Sequence, residues 1–173
     1  MGKRYLVLSI LMLFVVPTFA QNKPCDIRKE RAISFSGDKP TDRLIVIIRG
    51  SICDTAVTHI RIVDAKGELL YQYSEPLRNN FMRKITRADA EAAMEVILGE
   101  DQVKSTNDLP EWQPEGQYYE ANSQKISVPD DYYKDIRERQ WRTFSHQVGY
   151  EGYRFIVFDR EQRKAIEVSR GSP

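Results

Sequence analysis

Leu44-Ile45-Val46-Ile47-Ile48 is the stretch that most limits what this chain can become. Every residue after Leu44 is β-branched, stiff at χ1 and suited to a pleated surface. The run is too short for a buried helix, and Asp42-Arg43 and Arg49-Gly50 bound it. It reads as a central strand covered on both faces. Such a strand demands partner strands on either side and apolar layers above and below.

The flanking sequence offers both. Arg31 to Ser36 alternates, with Ile33 and Phe35 on one side, and Gly37-Asp38-Lys39-Pro40 follows as a turn. Ala56 to Val63 places Thr58, Ile60 and Ile62 on one face and His59 and Arg61 on the other. Asp64-Ala65-Lys66-Gly67 is a hairpin turn, and Glu68 to Ser74 returns with Leu69, Tyr71 and Tyr73 on one face. Short links of this kind make an antiparallel meander.

A helix follows. Thr86 is a good N-cap, and Asp89 is placed to close a capping box. Ala90, Ala93, Met94, Ile97 and Leu98 then fall on one stripe, and Gly99 is placed to end it. Residues 100–128 are polar, carry Pro110, Pro114 and Gly116, and hold no sustained period, so they read as a long loop with Ile126 in a short strand. Pro129, Asp130 and Asp131 suit a first helical turn. That second helix is expected to run to about Gln147, with Tyr133, Ile136, Trp141, Phe144 and Val148 on its apolar face. Tyr153 to Phe158 and Lys164 to Ser169 then form a hairpin around a turn at 159–163. The expected fold class is α+β: an antiparallel sheet of about five to six strands with one or two packed helices, in a single domain.

The amino terminus carries an address. Met1-Gly2-Lys3-Arg4 is a cationic head, and Tyr5 to Val16 is apolar apart from Ser9. Thr18 and Ala20 put small residues third and first before Gln21. This is a secretory signal peptide over 1–20, cleaved after Ala20, with the globular domain over 21–173. The apolar core falls short of the roughly 20 residues that span a bilayer. Residues Gln21 to Pro24 fit no lipid-attachment box. The chain has no Asn-x-Ser/Thr acceptor, which leans toward a bacterial envelope. Removing the leader takes Lys and Arg from 26 to 24 against 25 Asp and Glu, a net charge of −1. That balance gives nucleic acid no electrostatic purchase. Cys25 and Cys53, alone in an oxidising compartment, are expected to pair as one structural disulfide.

Catalytic patterns are sparse. The two histidines, His59 and His146, stand far apart with no metal-ligand spacing around them. No nucleophile elbow or phosphate-binding glycine loop is present. Glu115 with Glu120 and Asp130 with Asp131 read as solvated acids, and Arg78, Arg83, Lys84 and Arg87 sit among Glu75, Asp89 and Glu91 as a mixed surface. The aromatics are more suggestive. Trp112, Tyr118, Tyr119, Tyr132, Tyr133 and Trp141 gather in the polar stretch and the helix after it, and such rings favour recognition surfaces. The leading expectation is a periplasmic or secreted, non-catalytic binding module without cofactor or metal. Its ligand is a protein, peptide or glycan of the cell envelope, and its specific form is an inhibitor or immunity-type protein acting on an envelope enzyme. A small hydrolase using His146 with Ser145, and a structural component of an envelope assembly, are the competing classes.

Overall fold

In a computed structural model of the chain, residues 24–109 and 125–171 are described. The expected leader over 1–20 and most of the polar stretch fall outside them. Two antiparallel sheets stack on each other. The first holds β1 (Cys25–Ile33), β2 (Asp42–Gly50), β3 (Val57–Val63) and β4 (Leu69–Pro76), in that spatial order. The second holds β5 (Val103–Ser105), β6 (Lys125–Ile126), β7 (Arg142–Val148), β8 (Gly152–Asp159) and β9 (Lys164–Gly171), ordered β5-β7-β8-β9-β6. Helix α1 spans Arg87–Ile97 and α2 spans Asp130–Glu138. The α+β class holds. The expected single sheet does not, because β7, β8 and β9 stack on the meander instead of extending it.

The apolar run is the inner strand β2. Leu44, Val46 and Ile48 are fully enclosed and face Ile62, Ile60 and Thr58 of β3. Its other face is covered differently: Ile45 is buried and Ile47 half-buried, but charged neighbours such as Glu30 and Arg61, its cross-strand partners, flank Ile45 there. Long charged side chains shield apolar surface with their stems while their heads stay wet. The turn into β4 forms as expected. Asp64 accepts from the amides of Lys66 and Glu68, both at 2.8 Å, and Gly67 takes φ +87°, which favours glycine. A register shift at Ile62/Val63 leaves Tyr71 and Tyr73 facing inward, while Leu69 is exposed.

Strand β1 begins earlier and ends earlier than its alternation suggests. Asp42 is enclosed and accepts from the amides of Phe35 at 3.0 Å and Ser36 at 2.7 Å, which takes those residues out of the ladder. Cys25, at the start of β1, is bonded to Cys53, with Cα atoms 4.9 Å apart. The loop so closed spans 28 positions, and its closure contributes about 3 to 4 kcal/mol in the chain-entropy model. Beside the staple, a Cβ on Gly50 would lie 2.7 Å from the Ala56 Cα, so only glycine admits this approach.

Helix α1 carries its capping box: Asp89 N–H donates to Thr86 Oγ1, and Thr86 N–H donates to Asp89. Its stripe of Ala90, Met94 and Ile97 packs on the inner face of the first sheet. Gly99 is not a left-handed cap, since its φ is −57°. Phe144, Ile156 and Phe158 of the second sheet complete the same interior, with Phe35 and Phe158 meeting edge to face at 5.9 Å. Enclosing a side chain of this size is worth about 1.5 to 3 kcal/mol.

The second helix is half its expected length. It stops at Glu138, and Gln140 takes φ +53°. Residues 142–148 then form β7 because they alternate: Phe144 and His146 face the first sheet, while Thr143 and Ser145 face away. The helical period seen through Trp141, Phe144 and Val148 is overridden by Thr143, Phe144 and Val148 as strand formers with β8 beside them. Helix α2 covers the outer face of the second sheet, burying Tyr133 and Ile136 with Trp141, Val157, Val168 and Leu109 in a second apolar cluster.

Candidate functional site

The six aromatic residues singled out by sequence divide three ways. Trp112, Tyr118 and Tyr119 lie outside the described residues. Tyr133 and Trp141 are buried in the cluster beneath α2 and present little surface to a partner. Tyr132 is half-buried, and its hydroxyl donates to Asp159 Oδ2 at 2.7 Å. Asp159 Oδ1 also accepts from the amides of Glu161 and Gln162, both at 2.8 Å. Burial alone would raise the Asp159 carboxyl, but the Gln162 amide, the Tyr132 hydroxyl and the Glu161 amide outweigh it and hold it below the usual range. Burial first, then that carboxylate, pushes the Tyr132 phenol up. These contacts lock the β8–β9 turn to α2.

The same face fixes both ends of the polar segment. Thr106 Oγ1 donates to the Ile136 carbonyl at 2.6 Å, and its amide donates to the Trp141 carbonyl at 2.8 Å. Leu109 is buried against Tyr133 and Ile136, and Ile126 and Val128 pack on the same cluster. Ser127 N–H donates to the Val168 carbonyl at 3.0 Å. The chain that carries Trp112, Tyr118 and Tyr119 thus leaves from one edge of the α2 face and returns at that face. Beside it, Arg139 lies over the Trp141 ring at 5.2 Å and pairs with Asp135 and Glu161.

Sequence reasoning missed a polar group enclosed between the sheets. His146 is almost wholly buried, ringed by Tyr71, Tyr73 and Phe144 at centroid distances of 5.8, 4.8 and 5.6 Å. Its Nδ1 lies 3.0 Å from the Gln147 carbonyl, which can only accept, so Nδ1 carries the proton. Nε2 therefore accepts from the Tyr71 hydroxyl at 2.7 Å. Burial pushes this imidazole down to about 4, opposed by the Gln147 carbonyl, so it is neutral at pH 7. Tyr73 donates to Glu75 at 3.2 Å, and Gly149 N–H reaches the same oxygen at 3.2 Å. Arg154 spreads over the Tyr73 ring at 4.7 Å and pairs with Glu167 at 3.2 Å. The signal that would have found this group is the alternation of Phe144 and His146 matched against that of Tyr71 and Tyr73.

Both ring nitrogens of His146 are thereby committed. Ser145 points to the opposite face of β7 and donates to Gln102 Oε1 at 3.0 Å. Ser145 and His146 thus point to opposite faces of the strand, and among the described residues no base meets that hydroxyl. His59, on the outer face of the first sheet, meets Ser74 at 2.8 Å. The basic group at 78–87 is paired: Arg78 with Asp54, Arg83 with Asp89 through two hydrogen bonds, and Arg87 with Glu91. Among the described residues no cluster of His, Cys, Asp and Glu has the makings of a metal site, and no helix is long and apolar enough to cross a membrane. No known protein family, curated protein or solved structure matches the chain.

Proposed function

We propose that this chain is an exported, non-catalytic binding module of the bacterial periplasm. It holds a protein, peptide or glycan of the cell envelope, and in its specific form it inhibits an envelope-acting enzyme. The observation that carries this reading is the pinning of both ends of the polar segment, through Leu109 and Ile126, on the face built by α2. A Trp- and Tyr-bearing segment anchored at both ends places ring surface on a partner at low entropic cost. Trp112, Tyr118 and Tyr119 would supply that surface, with Tyr132 at its edge. The Cys25–Cys53 bond supports export, since such bonds persist in oxidising compartments.

Affinity capture from an envelope extract tests the reading, using the processed chain beside a variant with both Trp112→Ala and Tyr119→Ala. The expected result is loss of the captured partner with a melting temperature within about 2 °C of the parent. A matching loss of stability would assign the rings to packing and overturn the reading. So would recovery of the intact 1–173 chain from the cytosol.

A further inference from the structure

Where β1 runs into the 34–41 turn, a cleft of about 380 Å³ opens against the start of β7 and the residues after α1. Its walls include Arg31, Ile33, Pro40, Glu100, Val103 and Arg142. We propose that this cleft binds a small carboxylate ligand of the amino-acid or short-peptide class, gripped by Arg31 and Arg142. It lies apart from the aromatic segment and stands independently of the function proposed above.

The neighbouring carboxylates are engaged elsewhere. Glu30 takes Arg28 at 3.1 Å and Arg43 at 3.8 Å, and Asp38 takes Arg160 at 2.7 Å. Neither Arg31 nor Arg142 closes an ion pair among the described residues, although Asp38 lies near enough to Arg142 to feel its charge, and both arginines are half-buried. The planar fork of a guanidinium is the geometry that takes a carboxylate through two parallel hydrogen bonds.

Charge chooses between anions. Two arginines and one carboxylate, Glu100, line the cleft, and the Asp38–Arg160 pair beside Arg142 adds no net charge, so the lining carries one net positive charge. That balance suits a monoanion better than a phosphate dianion, which Glu100 would repel. The same Glu100 suits an ammonium on the ligand. Ile33, Val103 and Pro40 add apolar wall. Its size falls at the small end of ligand sites, which run from about 300 to 1,000 Å³.

The test is calorimetric titration of the processed protein with glycyl-leucine, glycyl-leucinamide and inorganic phosphate. The expected order is saturable binding of the free acid, about tenfold or more weaker binding of the amide, and phosphate weaker than the free acid. Arg31→Lys and Arg142→Lys keep the charge and remove the fork, and each is expected to weaken the free acid by about tenfold with an unchanged circular dichroism spectrum. Equal affinity for acid and amide, tighter binding of phosphate, or no saturable binding of the free acid overturns the proposal. The acid–amide comparison needs no variant, so it decides the proposal even where a substitution fails to fold.

Discussion

The two sheets share an interior but treat their outer faces in opposite ways. On the first sheet, among the described residues, Ile45 and Ile47 are shielded by their strand neighbours, Glu30, Arg43, Arg49, Arg61 and His59 among them. On the second, Val157, Val168 and Phe155 lie beneath α2 in a dedicated apolar cluster. A stack of two sheets needs only one buried face from each. The extra cover on the second sheet is thus not required to close the shared interior. What it holds is the pair of anchors, Leu109 and Ile126, from which the aromatic segment departs.

That contrast can be broken by measurement. Ile136→Ala removes the fully enclosed anchor of α2 and is expected to cost about 2 to 5 kcal/mol in denaturant unfolding. A loss below about 1 kcal/mol would mean that α2 is an accessory flap and not a third layer. The shared interior comes next in size. Burial holds His146 at about 4 in the fold, against 6.5 as its ordinary value. Between those two pH values the unfolded chain takes up a proton that the folded chain refuses, so stability falls as pH falls through this window. The full contribution is present above about 6.5, and its loss is on the order of 3 kcal/mol by pH 4. Asp89 and Asp159, held low by their partners, add their own losses only below the ordinary carboxylate range. An NMR titration of the imidazole with a midpoint near 6.5 would refute this. Smallest is the open face: Ile47→Thr keeps a β-branched residue at a half-buried site and is expected to cost about 1 kcal/mol or less, read as a small shift in denaturation midpoint.

The first half of the molecule was legible because its information is local. The β3–β4 turn at Gly67, the alternation of Thr58, Ile60 and Ile62, and the Thr86–Asp89 box each specify their structure within a few residues. The Cys25–Cys53 bond was legible because only two cysteines exist. The second half was less so. Trp141, Phe144 and Val148 satisfy a helical period and a strand period at once, and the choice depends on β8, which comes later in the chain. β5 is three residues long and gains meaning only from Phe144, Thr143 and Arg142 opposite it. That Tyr133 and Trp141 are interior, while Tyr132 caps Asp159, follows from which face of α2 meets the sheet. No residue type signals that. The Arg31–Arg142 cleft joins positions far apart along the chain, beyond the reach of any spacing rule.

Strand β1 forms one rim of the first sheet, and among the described residues no further strand pairs with its outward backbone groups. Asp26, Arg28, Lys29, Glu30 and Arg31 crowd that rim, and Lys29 is tied to Glu95 of α1. A second molecule seeking to add its own strand there would have to strip water from several ions and break that tie. The rim is thus insulated against runaway stacking of like chains.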